Sequence, residues 1–215
     1  MSRDLAMVSV RDAAPGQVPT AVRAALEALP WRDALEGAER VLVKPNLGYD
    51  IVAPGATTSS EVLEAVCRFF VEEGLQVTII EADQVLVDVE RAAHHAGVPE
   101  MCTRLGLRWQ NLSEHPFRRR RLKGAHVFHQ IDLPVLLDEA PLVNVPVLKT
   151  HAKTVMSGAV KNLWGLLPTE RHRFHPVLDL ALQDLYSLVP TALTVMDATV
   201  AMEGNGPKTG TPRRV

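Results

Sequence analysis

Ser59–Asp83 reads SSEVLEAVCRFFVEEGLQVTIIEAD and carries a helix and a strand back to back. Val62, Leu63, Val66, Phe69 and Phe70 fall on one helical stripe, Ser59 or Ser60 offers a capping hydroxyl, and Glu61 stands in the first turn. Gly74 stops the helix. Gln76–Ile80 then reads as a buried strand that ends at Glu81-Ala82-Asp83.

The same alternation extends in both directions. Toward the N-terminus, Arg40–Val43 is an apolar strand ending at Lys44-Pro45-Asn46, followed by a loop rich in Gly and Pro that runs to Thr58. Val18–Leu29 has a helical stripe and Ala6–Val10 reads as a strand. Toward the C-terminus, helical patterns cover Val87–Ala96 and Pro99–Leu105. Residues 107–138 read as a small irregular β insertion with a basic tip. Leu142–Leu148 is a strand ending at Lys149-Thr150-His151, and helices are expected over Thr154–Trp164 and Val177–Leu188. Ala192–Met196 is a last strand, ending at Asp197, and Met202–Val215 reads as loop.

Strand and helix alternating at this spacing predict one α/β domain over residues 1–215: a mainly parallel, Rossmann-like, doubly wound sheet with helices on both faces. Such a sheet normally gains one more strand and helix beyond Arg213-Arg214-Val215, so a missing C-terminal layer, or a fragment of a longer chain, is expected.

Composition narrows the function. A content of 47% hydrophobic and 22% charged residues is ordinary for a packed domain, and the mean hydropathy of +0.03 suits strands buried on both faces. The net charge of -2 argues against a nucleic-acid partner. The run Arg118–Arg121 has no interleaved aromatic platform and reads as a solvated hairpin tip. Cys67 and Cys102 form no C-x-x-C pair, so this chain builds no thiolate zinc site and no iron–sulfur cluster by itself. With no apolar signal core in Met1–Arg11 and no apolar run near the roughly 20 residues that cross a bilayer, a cytoplasmic protein with no membrane partner is expected.

Ligands of open parallel sheets bind beyond the carboxyl ends of the strands. Four strand ends are polar here: Lys44 and Asn46, Glu81 and Asp83, Lys149 and His151, and Asp197 with Glu203 after it. Between residues 149 and 175, Lys149, Lys153, Lys161, Arg171 and Arg173 face the single acid Glu170, with His151, His172 and His175 among them. Helix N-termini near Thr57-Thr58-Ser59 and Thr154 would add partial positive charge. The combination suits a small anion, a phosphate, carboxylate or nucleotide; a solvated basic face is the competing explanation. Ser157-Gly158-Ala159 suggests close packing of a helix, and Gly204-Asn205-Gly206 either a ligand-approaching loop or a plain turn. Asp83, His151, His175, Asp197 and Glu203 are the residues from which a divalent-metal site could be drawn, although no H-x-x-x-H or H-E-x-x-H spacing supports one. No Walker A, G-x-G-x-x-G or G-x-S-x-G motif is found.

Five blocks together resemble a known family: Val43-Lys44-Pro45-Asn46, Thr57-Thr58, Val143–His151, Gly158–Gly165 and Met202–Pro207 are similar to the signature segments of domain of unknown function 362, over about residues 40–212. The family has no general assigned reaction. Many members carry a fused ferredoxin-type iron–sulfur domain, so the resemblance implies a redox pathway in which an iron–sulfur partner would be a separate protein or lie outside this sequence. On these grounds the expected function is an enzyme acting on a small anionic substrate. Lys44, Asn46, Thr57, Thr58, Lys149, Lys161, Asn162, Arg171 and Asn205 would bind the anion. His151 would be the acid/base group, because an ordinary imidazole titrates near neutrality, with Asp197 and Glu203 orienting it or holding a cation. The alternatives are a metal-dependent enzyme or carrier, and a non-catalytic module that binds a nucleotide or phosphometabolite.

Overall fold

The computed structural model describes residues 6–50 and 53–215. From the N-terminus the elements are α1 (Val18–Glu27), α2 (Trp31–Ala34), β1 (Arg40–Pro45), α3 (Ser60–Glu72), β2 (Gln76–Glu81), α4 (Val89–His95), α5 (Val98–Leu105), β3 (Arg108–Asn111), β4 (Phe117–Arg121) and β5 (Gln130–Pro134). They continue with β6 (Leu142–Val145), β7 (Val147–His151), β8 (Val155–Met156), α6 (Gly158–Asn162), α7 (Leu178–Leu188), β9 (Thr191–Thr194), β10 (Asp197–Glu203) and β11 (Thr211–Arg213). No helix among the described residues is long and apolar enough to cross a membrane.

Five strands form a parallel sheet in the order β3-β2-β1-β6-β9. The chain therefore winds outward from β1 in one direction, returns, and winds outward from β6 in the other. The reversal lies between β1 and β6, and at such a switch point the connections leave a crevice beyond the strand ends. The fold is α/β and Rossmann-like.

Alternation along the strands divides the core in two. Val41, Val43, Val77, Ile79, Val143 and Val145 face α1, α3, α4 and α5, with Trp31, Phe69 and Phe70 packed edge to face between them. Leu42, Ile80 and Leu142 face the other way, toward α7, the 3-10 turn after α6, and the β4–β5 hairpin. The second face is thus covered by one long helix and a hairpin rather than by a full helical layer. Asp184 of α7 holds the hairpin's approach, accepting the backbone N–H groups of His126, Val127 and Phe128 at 3.0, 2.7 and 2.8 Å.

The helix α3 begins as its sequence dictates: Ser59 is the cap, its hydroxyl accepting from the Val62 N–H, and Gly74 leaves the helix at φ 87°. Other expectations need correction. Ala6–Val10 forms no strand. Arg108–Asn111, assigned from sequence to the irregular insertion, is an edge strand of the main sheet. The arginine run is not a hairpin tip but the strand β4, in which Arg118 and Arg120 pair with Asp138 and Arg119 with Asp132.

The largest correction concerns Leu142–Leu148. Pro146 has no N–H to give to the ladder, and the strand breaks there into β6 and β7. The Pro146 carbonyl accepts from the Asp197 N–H at 2.8 Å, and the break is matched in the next strand, where β9 gives way to β10. β7 and β10 then run parallel in a second, four-stranded sheet, ordered β11-β10-β7-β8, that continues past the end of the first. Met202–Val215, expected as loop, is consequently strand at Met202–Glu203 and Thr211–Arg213, where β10 and β11 form an antiparallel hairpin. The helix expected over Thr154–Trp164 shrinks to α6 and a 3-10 turn, because Val155 and Gly158 both take positive φ.

Candidate functional site

Beyond the ends of β1, β2 and β7 lies an open crevice of about 200 Å³, at the switch point between β1 and β6. Its floor is a buried ion pair. Lys44 on β1 and Glu81 on β2 are 1% and 2% exposed, and the Lys44 Nζ donates to the Glu81 Oε2 at 2.7 Å and to the Pro45 carbonyl at 3.1 Å. Glu81 also accepts from the Ala82 N–H at 3.1 Å. Gly165 closes on this pair so tightly that a Cβ there would stand 2.3 Å from the Glu81 Oε1 and 2.9 Å from the Lys44 Nζ.

Four further cations line the crevice, Lys149, Lys161, Arg171 and Lys208, and among the described residues Glu81 is the one carboxylate-bearing residue of its lining. Lys149 and Arg171 are buried, yet no carboxylate among the described residues lies within ion-pair distance of any of the four. The Lys149 Nζ donates to the Ala56 carbonyl at 2.5 Å, and Arg171 to the Leu167 and Asp83 carbonyls. The effect on proton affinity is large. Burial, then Lys161, Lys44 and Lys208, bring Lys149 down from its ordinary value to about 7. Burial, then Arg171 and Lys44, bring Lys161 to about 8. Two residues of the lining, Ser157 and Trp164, also carry a buried polar atom without a partner among the described residues, the Ser157 Oγ and the Trp164 Nε1. A donor left without water or partner costs about 1–3 kcal/mol, so such atoms are rare in a folded interior.

His151 is in the crevice with its Nδ1 accepting the Lys153 and Thr154 N–H groups at 3.1 and 3.3 Å, which leaves the ring proton on Nε2. Burial, then Lys161 and Lys149, push its pKa down to about 4. An imidazole so placed is neutral at pH 7, contrary to the reasoning that nominated it as a group titrating near neutrality. His172 and His175 stack at 4.8 Å, and His175 meets Trp164 edge to face; burial lowers both.

Of the residues nominated from sequence, Lys44, Asn46, Lys149, His151, Lys161, Asn162, Arg171 and His175 line this crevice. Asn162 is already engaged: its Nδ2 bonds the Asn144 Oδ1 at 2.8 Å and the Pro45 carbonyl at 3.2 Å, and so ties α6 to both strands of the switch point. Thr57, Thr58 and Asp197 line a separate depression at the start of α3. There the Thr58 Oγ1 donates to the Val145 carbonyl, and Asp197 accepts from the Ser59 and Thr199 N–H groups and the Thr199 hydroxyl. Asp83 accepts the Val89 N–H at the start of α4, which Asp88 caps. Glu203 is exposed and paired with Arg213, and Asn205 bonds Thr209 within its own loop. Asp83, His151, His175, Asp197 and Glu203 therefore do not converge; among the described residues no three His, Cys, Asp or Glu side chains come together as metal ligands. Cys67 and Cys102 lie in or against the core on the other face of the sheet.

Several lining residues escaped the sequence reading: Tyr49, Glu81 as the partner of Lys44, Ser157, Trp164, Gly165 and Lys208. Lys208 arrives on the 204–210 loop, which is fixed at both ends of its reach. Gly206 packs on β7, where a Cβ would meet the Thr150 carbonyl at 2.1 Å, and the Tyr49 hydroxyl donates to the Pro207 carbonyl at 3.2 Å. Gly206, not Asn205, carries the meaning of the Gly-Asn-Gly motif. Gly158, by contrast, has room for a side chain and is needed for its φ of 54°, not for close packing.

A family model described as domain of unknown function (DUF362) matches residues 41–215. Thylakoid-associated protein sll1697 of Synechocystis sp. is 33% identical over 91 residues, in an alignment that takes in 37% of this chain and 27%, about a quarter, of that protein. No solved structure matches the chain.

Proposed function

Since the chain belongs to the domain of unknown function 362 family, which brings no reaction with it, we propose a function from the crevice itself: it holds a small anionic ligand, which the protein uses as a substrate. One observation carries this reading. Lys149, Lys161 and Arg171 crowd a partly buried space, with the exposed Lys208 beside them, and no carboxylate among the described residues lies within ion-pair distance of any of the four. Burying cations costs free energy unless a counter-charge arrives, and an anion with acceptor oxygens would match the charges of Lys149, Lys161 and Arg171.

For chemistry on such a substrate, Lys149 is the better acid/base group than His151. Its amine is about half protonated at pH 7, whereas the His151 imidazole is neutral there and serves as a hydrogen-bonding wall. Lys44 is matched by Glu81, although burial lowers its pKa, so the unmatched positive charge of the crevice belongs to Lys149, Lys161, Arg171 and Lys208. A metal-dependent mechanism finds no converged donor set among the described residues. A redox role with an iron–sulfur partner, and a cytoplasmic location, rest on the sequence alone; neither cysteine lies at the crevice.

Binding of orthophosphate, sulfate and simple carboxylates, followed by calorimetry at low salt, tests this proposal. Binding that takes up protons at pH 8, as Lys149 and Lys161 become charged, and that is lost in Lys149→Met with Lys161→Met, is expected. Absence of binding by all of them at millimolar concentration refutes it.

A further inference from the structure

The depression at the start of α3 adjoins the crevice and is nearly its equal in volume, about 190 Å³. One stretch of chain divides the two. After β1, Asn46 and Gly48 line the crevice, Leu47 lines the depression, and the partly exposed Tyr49 lines both. Two further ties hold the cavities side by side. Lys149 of the crevice donates to the carbonyl of Ala56, between Gly55 and Thr57 of the depression, and the Asn46 N–H donates to the Thr58 Oγ1 at 2.8 Å. Gly55 fixes the loop on β10, where a Cβ would stand 2.6 Å from the Ala201 carbonyl oxygen, next to Val200 of the lining. The chemistry of the depression is the opposite of the crevice's. Thr58 donates to the Val145 carbonyl, the Ser59 hydroxyl caps α3, and Ser60 donates to the Ala96 carbonyl. Both Asp197 oxygens are taken, one by the Ser59 N–H and the other by Thr199. These groups call for no ligand, the Asp197 carboxylate repels an anion, and Leu47, Ala53, Pro54, Ala96 and Val200 offer apolar surface.

We infer that the depression is the second half of the ligand site: the ligand lies across Tyr49, with its anionic group among the cations of the crevice and an apolar group in the depression. The chemical class is an organic anion with a compact apolar end, such as an aryl ring. This deepens the proposed function and rests on the anion-site reading. The crevice alone would bind a small anion and its larger ester alike. A ligand that also fills the depression removes apolar surface from water, and burying one ring strengthens binding about tenfold or more.

The test is calorimetric titration of the full chain with methyl phosphate and with phenyl, benzyl and phenethyl phosphate and their longer homologues. The best aryl phosphate is expected to bind at least about tenfold tighter than methyl phosphate, which carries the same charge. That margin should vanish in Val200→Trp and in Ala53→Phe, each of which fills the depression from a different wall, with thermal unfolding confirming which variants fold. Methyl phosphate that binds as tightly as the best aryl phosphate, or falls short of it by less than the expected margin, overturns the two-part site and leaves the anion-site reading intact. A margin that survives in a folded variant also overturns it, because the ring then lies elsewhere. Failure of every phosphate to bind removes the two-part site and the anion-site reading together.

Discussion

Lys149→Met should make the ligand-free protein more stable at neutral pH. The lysine titrates at about 7 in the folded chain against an ordinary value of 10.5. A base whose folded pKa is depressed binds fewer protons folded than unfolded between those two values, so stability rises as pH climbs from about 7 to 10.5 and is lowest below 7. At pH 7 the penalty for holding this group in place is about 4 kcal/mol. Methionine keeps the length of the stem and removes that penalty, but orphans the Ala56 carbonyl, which accepts from the ammonium at 2.5 Å; that loss costs about 1–3 kcal/mol. The electrostatic gain wins, leaving a net stabilisation of about 1–3 kcal/mol at pH 7, or about 2–10 °C in Tm for a chain of this size. Urea unfolding at pH 6, 7, 9 and 10, in chloride buffers free of phosphate, measures both quantities. The wild type should gain about 3 kcal/mol between pH 7 and 10 from this residue, and the variant should keep only the shallower slope due to Lys161. A variant less stable than wild type at pH 7, with a parallel pH curve, would refute the claim that Lys149 is a strained, uncompensated charge.

Other residues give sharper losses. Glu81→Gln leaves the Lys44 ammonium buried without its partner and should cost about 3–5 kcal/mol in urea unfolding, most of it recovered in the double variant Lys44→Met/Glu81→Leu. Gly165→Ala drives a methyl into the same pair, 2.3 Å from the Glu81 Oε1, and should cost about 2–4 kcal/mol by the same measurement, since neither partner is a free surface chain that can swing aside. Asp184→Asn offers one acceptor where three backbone N–H groups now converge, and a loss of about 1–3 kcal/mol in thermal unfolding is expected. In His151→Gln, the pH dependence of orthophosphate binding between pH 6 and 9 should be unchanged, because the imidazole is neutral throughout; disappearance of a transition near pH 7 would show that His151, not Lys149, titrates there.

The sequence by itself determined the centre of the sheet. The stripe of α3, its Ser59 cap and the apolar runs of β1 and β2 are local patterns whose energy depends on neighbours a few residues away, and they appear as read. It also grouped Lys44, Lys149, Lys161 and Arg171, which line one crevice, because strand ends and the segment that follows them fall at the same rim of a parallel sheet. What only the tertiary structure decided is what each polar residue is occupied with. Asp197 and Thr58 stand at strand and helix ends as fully as Lys149 does, but their oxygens are consumed by the start of α3 and the carbonyl of Val145. Glu81 looked like any polar strand end until β2 lay beside β1 and delivered it to Lys44. Leu142–Leu148 read as one strand through Pro146, and the second sheet that the break at Pro146 opens exists only because β9 breaks in step and gives β7 a parallel partner in β10. Proton affinity follows the same rule: nothing in the order of residues distinguishes Lys149 from any exposed lysine, and the shift to about 7 comes from burial among cations that reach it from far along the chain.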